Sequence, residues 1–90
     1  MMASIKVSIS GVFSKKVLDK NIRIPIQNNT TVFNVLRTLN QKMSIQLTKN
    51  CISERKILCV RNEDIVQVEN LKDIVNDGDE ISILQPIAGG

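Results

Sequence analysis

The fold is decided by residues 31–42, which read TVFNVLRTLNQK. Four apolar residues recur there at i, i+3, i+4 and i+7, the spacing of one face of an α-helix: Val32, Val35, Leu36 and Leu39. The run Asn-Asn-Thr-Thr at 28–31 comes just before them, and such side chains are favoured N-caps because they accept hydrogen bonds from free backbone N–H groups. The sequence therefore predicts one amphipathic helix over 31–42, with its apolar stripe in the core.

Two alternating segments on the N-terminal side of this helix predict a β-hairpin. Residues 22–26, IRIPI, lie nearer to the helix. Because proline has no N–H to donate to a ladder, Pro25 predicts either an edge strand or a position that faces away from pairing. We expect residues 12–20 to be a polar connection that begins after Gly11. The earlier segment, residues 4–10, alternates polar and apolar side chains without a break. Three of its side chains are expected to point inward: Ile5, Val7 and Ile9.

On the C-terminal side of the helix, three short apolar segments predict strands: residues 57–60, 65–68 and 80–84. A polar turn at 61–64 joins the first two, and residues 70–75 predict one helical turn. The sequence Asn-Asp-Gly-Asp at 76–79 is typical of a turn, in which Gly78 is free to take a positive φ.

The predicted order of elements is β-β-α-β-β-β. Because a single amphipathic helix must bury its stripe against one face of a sheet, the expected fold class is α+β, with the helix across a mixed sheet. Residues 43–56 are harder to interpret. Ile45 and Leu47 alternate there with polar residues, so the segment either extends the helix or forms a short strand.

The composition of this 90-residue chain favours a carrier or binding module over an enzyme. A single domain of this size has a modest core and little room for a deep pocket. The chain has no His, which excludes Ser-His and Cys-His nucleophile pairs and removes the commonest nitrogen ligand for metals. We expect no bound metal and no bound cofactor. Of the two cysteines, Cys59 lies in an apolar segment and is expected in the core, whereas Cys51 falls in the ambiguous segment.

The net charge of +3 is unevenly distributed, since residues 1–61 carry +9 and residues 62–90 carry −6. The basic residues are scattered and aromatic stacking platforms are nearly absent, so we expect no nucleic-acid partner. No stretch approaches the roughly 20 apolar residues of a membrane span, and residues 1–6 lack the apolar run of a signal peptide. We therefore expect a cytoplasmic protein with reduced cysteines and no membrane partner.

The last predicted strand leads into the sequence Gln-Pro-Ile-Ala-Gly-Gly at residues 85–90. Pro86 ends ladder pairing, and the five residues from Pro86 to Gly90 span at most about 16–18 Å when extended, enough to enter a cleft on another protein. Gly89 and Gly90 have no side chains to block a narrow channel. We therefore predict a domain over 1–85 and a flexible carrier tail over 86–90, with the carboxylate of Gly90 as the reactive group.

The sequence Asp-Gly-Asp-Glu-Ile at 77–81, followed by an apolar strand and Pro-Ile-Ala-Gly-Gly at 86–90, resembles the C-terminus of the MoaD/ThiS family. Members of that family are sulfur carriers with the ubiquitin-like β-grasp fold. The likeness is strongest over residues 57–90. It implies a mixed sheet of four to five strands, one main helix packed across it, and an extended C-terminal tail.

The resemblance also implies a mechanism in which partner enzymes do the chemistry. An E1-like adenylating enzyme would use ATP and magnesium to adenylate the carboxylate of Gly90, and sulfur from a persulfide donor would displace AMP to give a thiocarboxylate. In MoaD the sulfur acceptor is a pterin and the partner is the large subunit of molybdopterin synthase. In ThiS the acceptor is the thiazole of thiamin, and related archaeal and eukaryotic proteins are joined to lysines as modifiers. The tail residues expected in the partner's channel are Pro86, Ile87, Ala88 and Gly89.

The sequence Val-Glu-Asn-Leu at 68–71, together with Pro86, is closer to MoaD and to the archaeal modifier-like carriers than to ThiS. The predicted acceptor is therefore the precursor of the molybdenum cofactor, and this chain could be the small subunit of a molybdopterin synthase. The thiazole pathway and protein modification are the alternatives. Three acidic residues are predicted to dock onto a basic patch of the activating enzyme, although a solvated turn explains them equally well: Asp77, Asp79 and Glu80.

Overall fold

A computed structural model describes residues 3–85, so the predicted carrier tail at 86–90 lies outside the described residues. The sheet has five strands: β1 (Ser4–Phe13), β2 (Lys16–Pro25), β3 (Leu58–Arg61), β4 (Asp64–Ile65) and β5 (Glu80–Leu84). The helices are α1 (Val32–Met43), the short α2 (Lys49–Ser53) and a 3-10 turn at Val68–Asn70. The strand order is β2-β1-β5-β3-β4, with β1 and β5 parallel and the other pairs antiparallel. The predicted mixed sheet with one main helix is confirmed.

The hairpin between β1 and β2 is longer than predicted, and the polar connection expected over 12–20 is wrong. The strands continue through Gly11 and are joined by a turn of only two residues, Ser14 and Lys15, whose φ angles are 49° and 66°. Positive φ at both positions is the geometry of the tight turn that matches the twist of a hairpin. Alternation persists beyond Gly11, because two further side chains point inward: Phe13 and Leu18. The prediction that Pro25 lies in an edge strand is confirmed.

Helix α1 begins one residue later than predicted and is capped as the sequence suggested. Thr31 Oγ1 accepts a hydrogen bond from the Asn34 N–H at 3.2 Å, and the Asn34 side chain accepts one from the Thr31 N–H at 3.0 Å. This reciprocal pair satisfies two N–H groups at the start of the helix. The predicted stripe is buried and joins the inward side chains of the sheet in one core.

Residues 43–56 follow neither of the two predicted alternatives. Ile45 and Leu47 are both buried, but they lie in an irregular segment between α1 and α2. The side chain of Asn40 accepts from the Leu47 N–H at 2.7 Å and donates to the Leu47 carbonyl at 3.0 Å. One amide thus replaces a strand partner for the backbone of this segment, which allows two apolar side chains to enter the core without regular structure.

The region between β3 and β5 is also more irregular than predicted. β4 has two residues instead of four, and the helical turn expected over 70–75 occurs earlier, at Val68–Asn70. The turn before β5 is confirmed, with φ at Gly78 of 85°. No helix within residues 3–85 is long and apolar enough to cross a bilayer.

Candidate functional site

Strand β5 carries the chain towards the predicted tail, so its two ends define the site. It lies at the centre of the sheet between β1 and β3, and its inward side chains Ile81 and Ile83 are fully buried. Gln85 follows the strand and is the last described residue before the tail. The start of β5 holds a buried carboxylate, whereas its end is held by an uncharged side chain.

The carboxylate of Asp79, just before β5, is surrounded by donors. Asp79 is 8% exposed. Its Oδ2 accepts from the Asn76 N–H at 2.8 Å and from Nε and Nη2 of Arg61 at 3.0 and 2.8 Å. Its Oδ1 accepts from Nδ2 of Asn62 at 2.9 Å. These four residues, which we call the Asp79 cluster, join the turn before β5 to the end of β3.

The Asp79 cluster keeps its carboxylate ionised. Burial alone would raise the pKa of Asp79, but the hydrogen bonds from Asn76, Asn62 and Arg61, together with the charge of Arg61, outweigh it and lower the pKa. Arg61 also donates from Nη2 to the carbonyl of Ile74 at 2.9 Å. The cluster therefore fixes the position at which β5 enters the sheet.

The three predicted docking residues have different surroundings. The side chain of Asp79 is buried and accepts hydrogen bonds from the chain's own donors, and its contact with a partner stays a prediction. Asp77 is exposed, with Oδ1 accepting from the Ser4 N–H at 2.9 Å, and Glu80 is exposed on the sheet. A docking role for Asp77 and Glu80 stays a prediction.

Gln85 is attached to β1 at the other end of β5. Its N–H donates to the Ser10 carbonyl at 3.2 Å, and its side-chain Oε1 accepts from the Val12 N–H at 2.7 Å. Gly11 lies beneath this side chain, where an added Cβ would be 2.6 Å from the Cβ of Gln85. No natural contact is that short, so the arrangement requires a glycine at this position. Gly11, Val12 and Gln85 form what we call the Gln85 latch.

The face of the sheet that points away from α1, the outer face, changes character along β5. Near the start of β5 it is a shallow polar groove of about 470 Å³ lined by Lys6, Asn21, Arg23 and Glu80, among others. Near the end of β5 it presents apolar side chains that are 38–81% exposed: Val12, Val17 and Leu84. The apolar part lies beside the position from which the tail leaves.

The two cysteines differ in accessibility. Cys59 is 1% exposed, as expected for a core residue, and burial raises the pKa of its thiol to about 12. Cys51 is partly buried in α2, where its Sγ accepts from Thr48 Oγ1 at 3.3 Å. Among residues 3–85, no group of three or more His, Cys, Asp or Glu side chains is arranged to hold a metal ion.

Sequence reasoning missed the Asp79 cluster as a structural unit and the Gln85 latch altogether. The signal for the first was present, because Arg61 and Asn62 are polar residues at the end of an apolar strand. The signal for the second was a glycine inside an alternating strand, which often marks the close approach of another backbone. Gly11 was instead interpreted as the end of β1.

A five-stranded mixed sheet with parallel β1 and β5 at its centre and one helix across it defines the protein as a ubiquitin-like β-grasp domain. Within that class, the chain belongs to the ThiS family, whose sequence model matches residues 15–90. The resemblance to the MoaD/ThiS carriers is thereby confirmed. No curated protein matches the chain by sequence.

Solved structures of small carriers and modifiers share this fold. SAMP1 from Haloferax volcanii has a TM-score of 0.70 at 18% identity, over 97% of this chain and 99% of that one. SAMP1, the small archaeal modifier protein 1, from Methanosarcina acetivorans has a TM-score of 0.64 at 21% identity, over 100% and 99%. Urm1 from Trypanosoma brucei has a TM-score of 0.63 at 16% identity, over 99% and 97%. At these identities the similarity establishes the fold.

Proposed function

We propose that this protein is a cytoplasmic sulfur carrier whose C-terminal carboxylate, on Gly90, is converted to a thiocarboxylate. The observation that carries the proposal is membership of the ThiS family over residues 15–90, a match that includes the terminal Gly-Gly. An E1-like enzyme uses ATP and magnesium to form the acyl-adenylate, releasing pyrophosphate. A persulfide then attacks the acyl carbon, so that a C–S bond forms and AMP leaves. A second thiol cleaves the S–S bond and frees the thiocarboxylate.

In this proposal the partner enzymes perform the catalysis, and this chain provides the surface that they bind and the tail that they modify. The chain has no His, and the most deeply buried carboxylate of the described residues, Asp79, has a structural role. The thiol of Cys59 is buried and protonated, which makes it a poor nucleophile. ATP and magnesium are therefore bound by the activating enzyme, and residues 86–89 occupy its channel.

The outer face of the sheet is the proposed docking surface for these partners. Its exposed apolar side chains, including Leu84 and Val12, lie beside the base of the tail, and buried apolar contacts form the centre of most protein interfaces. Its polar groove contains Lys6, Arg23 and Glu80, which can form charged contacts at the rim. A partner that covers this face would also hold the tail.

We propose that the sulfur acceptor is the pterin precursor of the molybdenum cofactor, bound by the large subunit of a molybdopterin synthase. The sequence at 68–71 and Pro86 support this branch, whereas the thiazole of thiamin is the alternative. Purified thiocarboxylate can be mixed with each synthase and its precursor. Sulfur transfer to the pterin alone would support the proposal, and transfer to the thiazole alone would contradict it.

A second candidate function is modification of lysines through an isopeptide bond to Gly90. The small archaeal modifier proteins that share this fold over nearly their whole length favour it. The chain contains no Lys or Arg after Lys72, so trypsin would leave residues 73–90 attached to a modified lysine. Mass spectrometry of digested cell extract can search for that branched peptide, and its absence from cells that express the carrier would exclude this function.

Intact-mass analysis tests the proposed loading. The full chain is incubated with ATP, magnesium, its cognate E1-like enzyme and a persulfide donor. We expect a mass increase equal to the replacement of one oxygen by one sulfur. An unchanged mass with an activating enzyme that is active on another carrier would contradict the proposal. Omitting the sulfur donor is the control, since it permits only adenylation.

A further inference from the structure

We propose that Gln85 is a positioning residue that sets the direction in which the carrier tail leaves the sheet. Its side chain takes the place of a main-chain carbonyl and so ends the hydrogen-bond ladder between β1 and β5. This inference rests on the proposed carrier function, because it concerns how the tail is presented to the activating enzyme.

The hydrogen bonds show directly that the side chain of Gln85 replaces a main-chain carbonyl. In the parallel pairing of β1 with β5, Ser10 lies opposite Leu84, and the Ser10 carbonyl accepts from the Gln85 N–H at 3.2 Å. A regular parallel ladder would continue with a bond from the Val12 N–H to the main-chain carbonyl of residue 85. That N–H donates instead to the side-chain Oε1 of Gln85 at 2.7 Å, and β5 ends at Leu84.

Two features therefore stop β5 from pairing further with its neighbours. The side chain of Gln85 occupies the next donor of β1, and Pro86 has no N–H to offer a neighbouring strand. The main-chain carbonyl of residue 85 is released from the ladder. The ladder between β1 and β5 therefore ends at this residue.

Gly11 makes this geometry possible. Its φ of 134° lies where side chains are strained, and an added Cβ would lie 2.6 Å from the Cβ of Gln85. The obstructing atom is the first carbon of the side chain, which cannot swing away while the Gln85 backbone stays paired with Ser10. The missing side chain of Gly11 and the side chain of Gln85 thus fit together in space, although the two residues are far apart in the sequence.

A fixed departure direction matters because the tail must be ordered when it enters a partner's channel. Ordering free residues opposes binding, and pre-organisation reduces that opposition. An unlatched tail would reach the channel in the competent direction less often, which raises the apparent KM and leaves kcat unchanged. Since one neutral hydrogen bond is lost, the expected increase in KM is about fivefold.

The test compares variants of Gln85, Gln41 and Gly11 with the unmodified full chain. Gln85→Met keeps the length of the side chain and removes the acceptor, whereas Gln85→Glu keeps an acceptor oxygen. Gln41→Met makes the same chemical change on an exposed surface of α1 and is the matched control. Amide hydrogen exchange at Val12 reports the latch itself, and pyrophosphate release by the cognate E1-like enzyme gives KM and kcat.

We expect Gln85→Met to increase Val12 exchange and to raise KM about fivefold at constant kcat. Gln85→Glu should restore both readouts, and Gln41→Met should change neither. Gly11→Ala should behave like Gln85→Met in KM because it displaces the same side chain. An unchanged KM for Gln85→Met, with wild type activated normally, would overturn the positioning role. Fast Val12 exchange in the wild type would overturn the latch itself.

These outcomes separate the inference from the proposed function. If the wild-type chain is not adenylated by any cognate enzyme, the carrier function fails, whatever the exchange at Val12 shows. If the wild type is loaded and the variants match it, the function stands and the positioning role fails. A fall in kcat for Gln85→Met without a change in KM would also contradict the inference, because it would place Gln85 in the chemical step.

Discussion

The two ends of β5 are held in opposite ways. At its start, the buried carboxylate of Asp79 accepts hydrogen bonds from Asn76, Asn62 and Arg61, one of which is an ion pair at 2.8 Å. At its end, the exposed Gln85 makes one side-chain hydrogen bond to the backbone of Val12. The side chains at the two ends of the strand therefore differ: a charged side chain anchors β5 where it enters the sheet, and a neutral one makes a single hydrogen bond where it leaves.

The difference indicates that the interactions that stabilise the sheet are separate from the hydrogen bond at the base of the tail. Breaking a buried ion pair removes several kcal/mol of stability, whereas one neutral hydrogen bond contributes about 1 kcal/mol. The domain can thus keep β5 in place through the Asp79 cluster even when the hydrogen bond between Gln85 and Val12 is broken. A partner that moves the tail would disturb only the weaker of the two attachments.

The largest expected effect is on folding stability at the start of β5. Replacing Asp79 by Ala leaves the guanidinium of Arg61 partly buried and without its carboxylate, and it leaves the Asn76 N–H without an acceptor. We expect the free energy of unfolding to fall by about 3 kcal/mol, measured by urea denaturation. Asp77→Ala is the matched control, because Asp77 is exposed and accepts one hydrogen bond. Equal losses of unfolding free energy for Asp79→Ala and Asp77→Ala would show that the Asp79 cluster does not anchor the start of β5.

Labelling of Cys59 can show where the strand opens. Cys59 pairs with Ile83 of β5, and its thiol is buried with a pKa of about 12, so a thiol reagent reaches it only when the sheet opens. If Asp79→Ala weakens the sheet by about 3 kcal/mol, labelling should accelerate about 100-fold. Gln85→Met should leave the rate within about fivefold. Similar acceleration by both variants would mean that the two ends hold β5 equally.

Acid should weaken the start of β5 selectively. The pKa of Asp79 is lower in the folded chain than in the unfolded chain, so its contribution is present above the unfolded value of about 3.9 and is lost as the pH falls through the folded pKa. The stability difference between wild type and Asp79→Asn should therefore shrink on acidification. Denaturation series between pH 7 and about pH 2 measure it. A difference independent of pH would show that the charge of Asp79 contributes nothing.

The smallest expected effect is on stability at the end of β5. Gln85→Met removes one solvent-exposed hydrogen bond, so the free energy of unfolding should fall by no more than about 1 kcal/mol. The same urea series provides the measurement, with Gln41→Met as the control. A loss as large as that of Asp79→Ala would show that the latch, too, is a structural anchor.

Local sequence pattern predicted most of the fold, because its signals are short-range. The stripe of α1, its Thr31 cap, the edge position of Pro25 and the bounds of β5 all depend on neighbouring residues, and the structure confirms them. The long hairpin was missed because Gly11 was interpreted as a strand end. Alternation of polar and apolar residues does not reveal it, because Val12 and Phe13 are adjacent apolar residues, as are Val17 and Leu18.

The features that were missed depend on contacts between distant residues. Asn40 holds the segment around Leu47, and Gln85 closes the ladder at Val12, which lies 73 positions away. A single sequence gives no measure of such pairs. The chemistry of the tail could be predicted because its signal is local: Gly89, Gly90 and the turn before β5 belong to one short stretch of sequence. Residues 86–90 lie outside the described residues, and the role of the tail stays a prediction.

The central claim is that the reactive group lies in the tail while the fold lies in residues 3–85. The most direct test compares the wild-type chain with a chain that lacks Gly90, measuring both the free energy of unfolding and the thiocarboxylate formed with the cognate E1-like enzyme. We expect equal stability, full loading of the wild type and no loading of the shortened chain. Loading of the shortened chain to the wild-type level would contradict the role of Gly90 as the reactive residue.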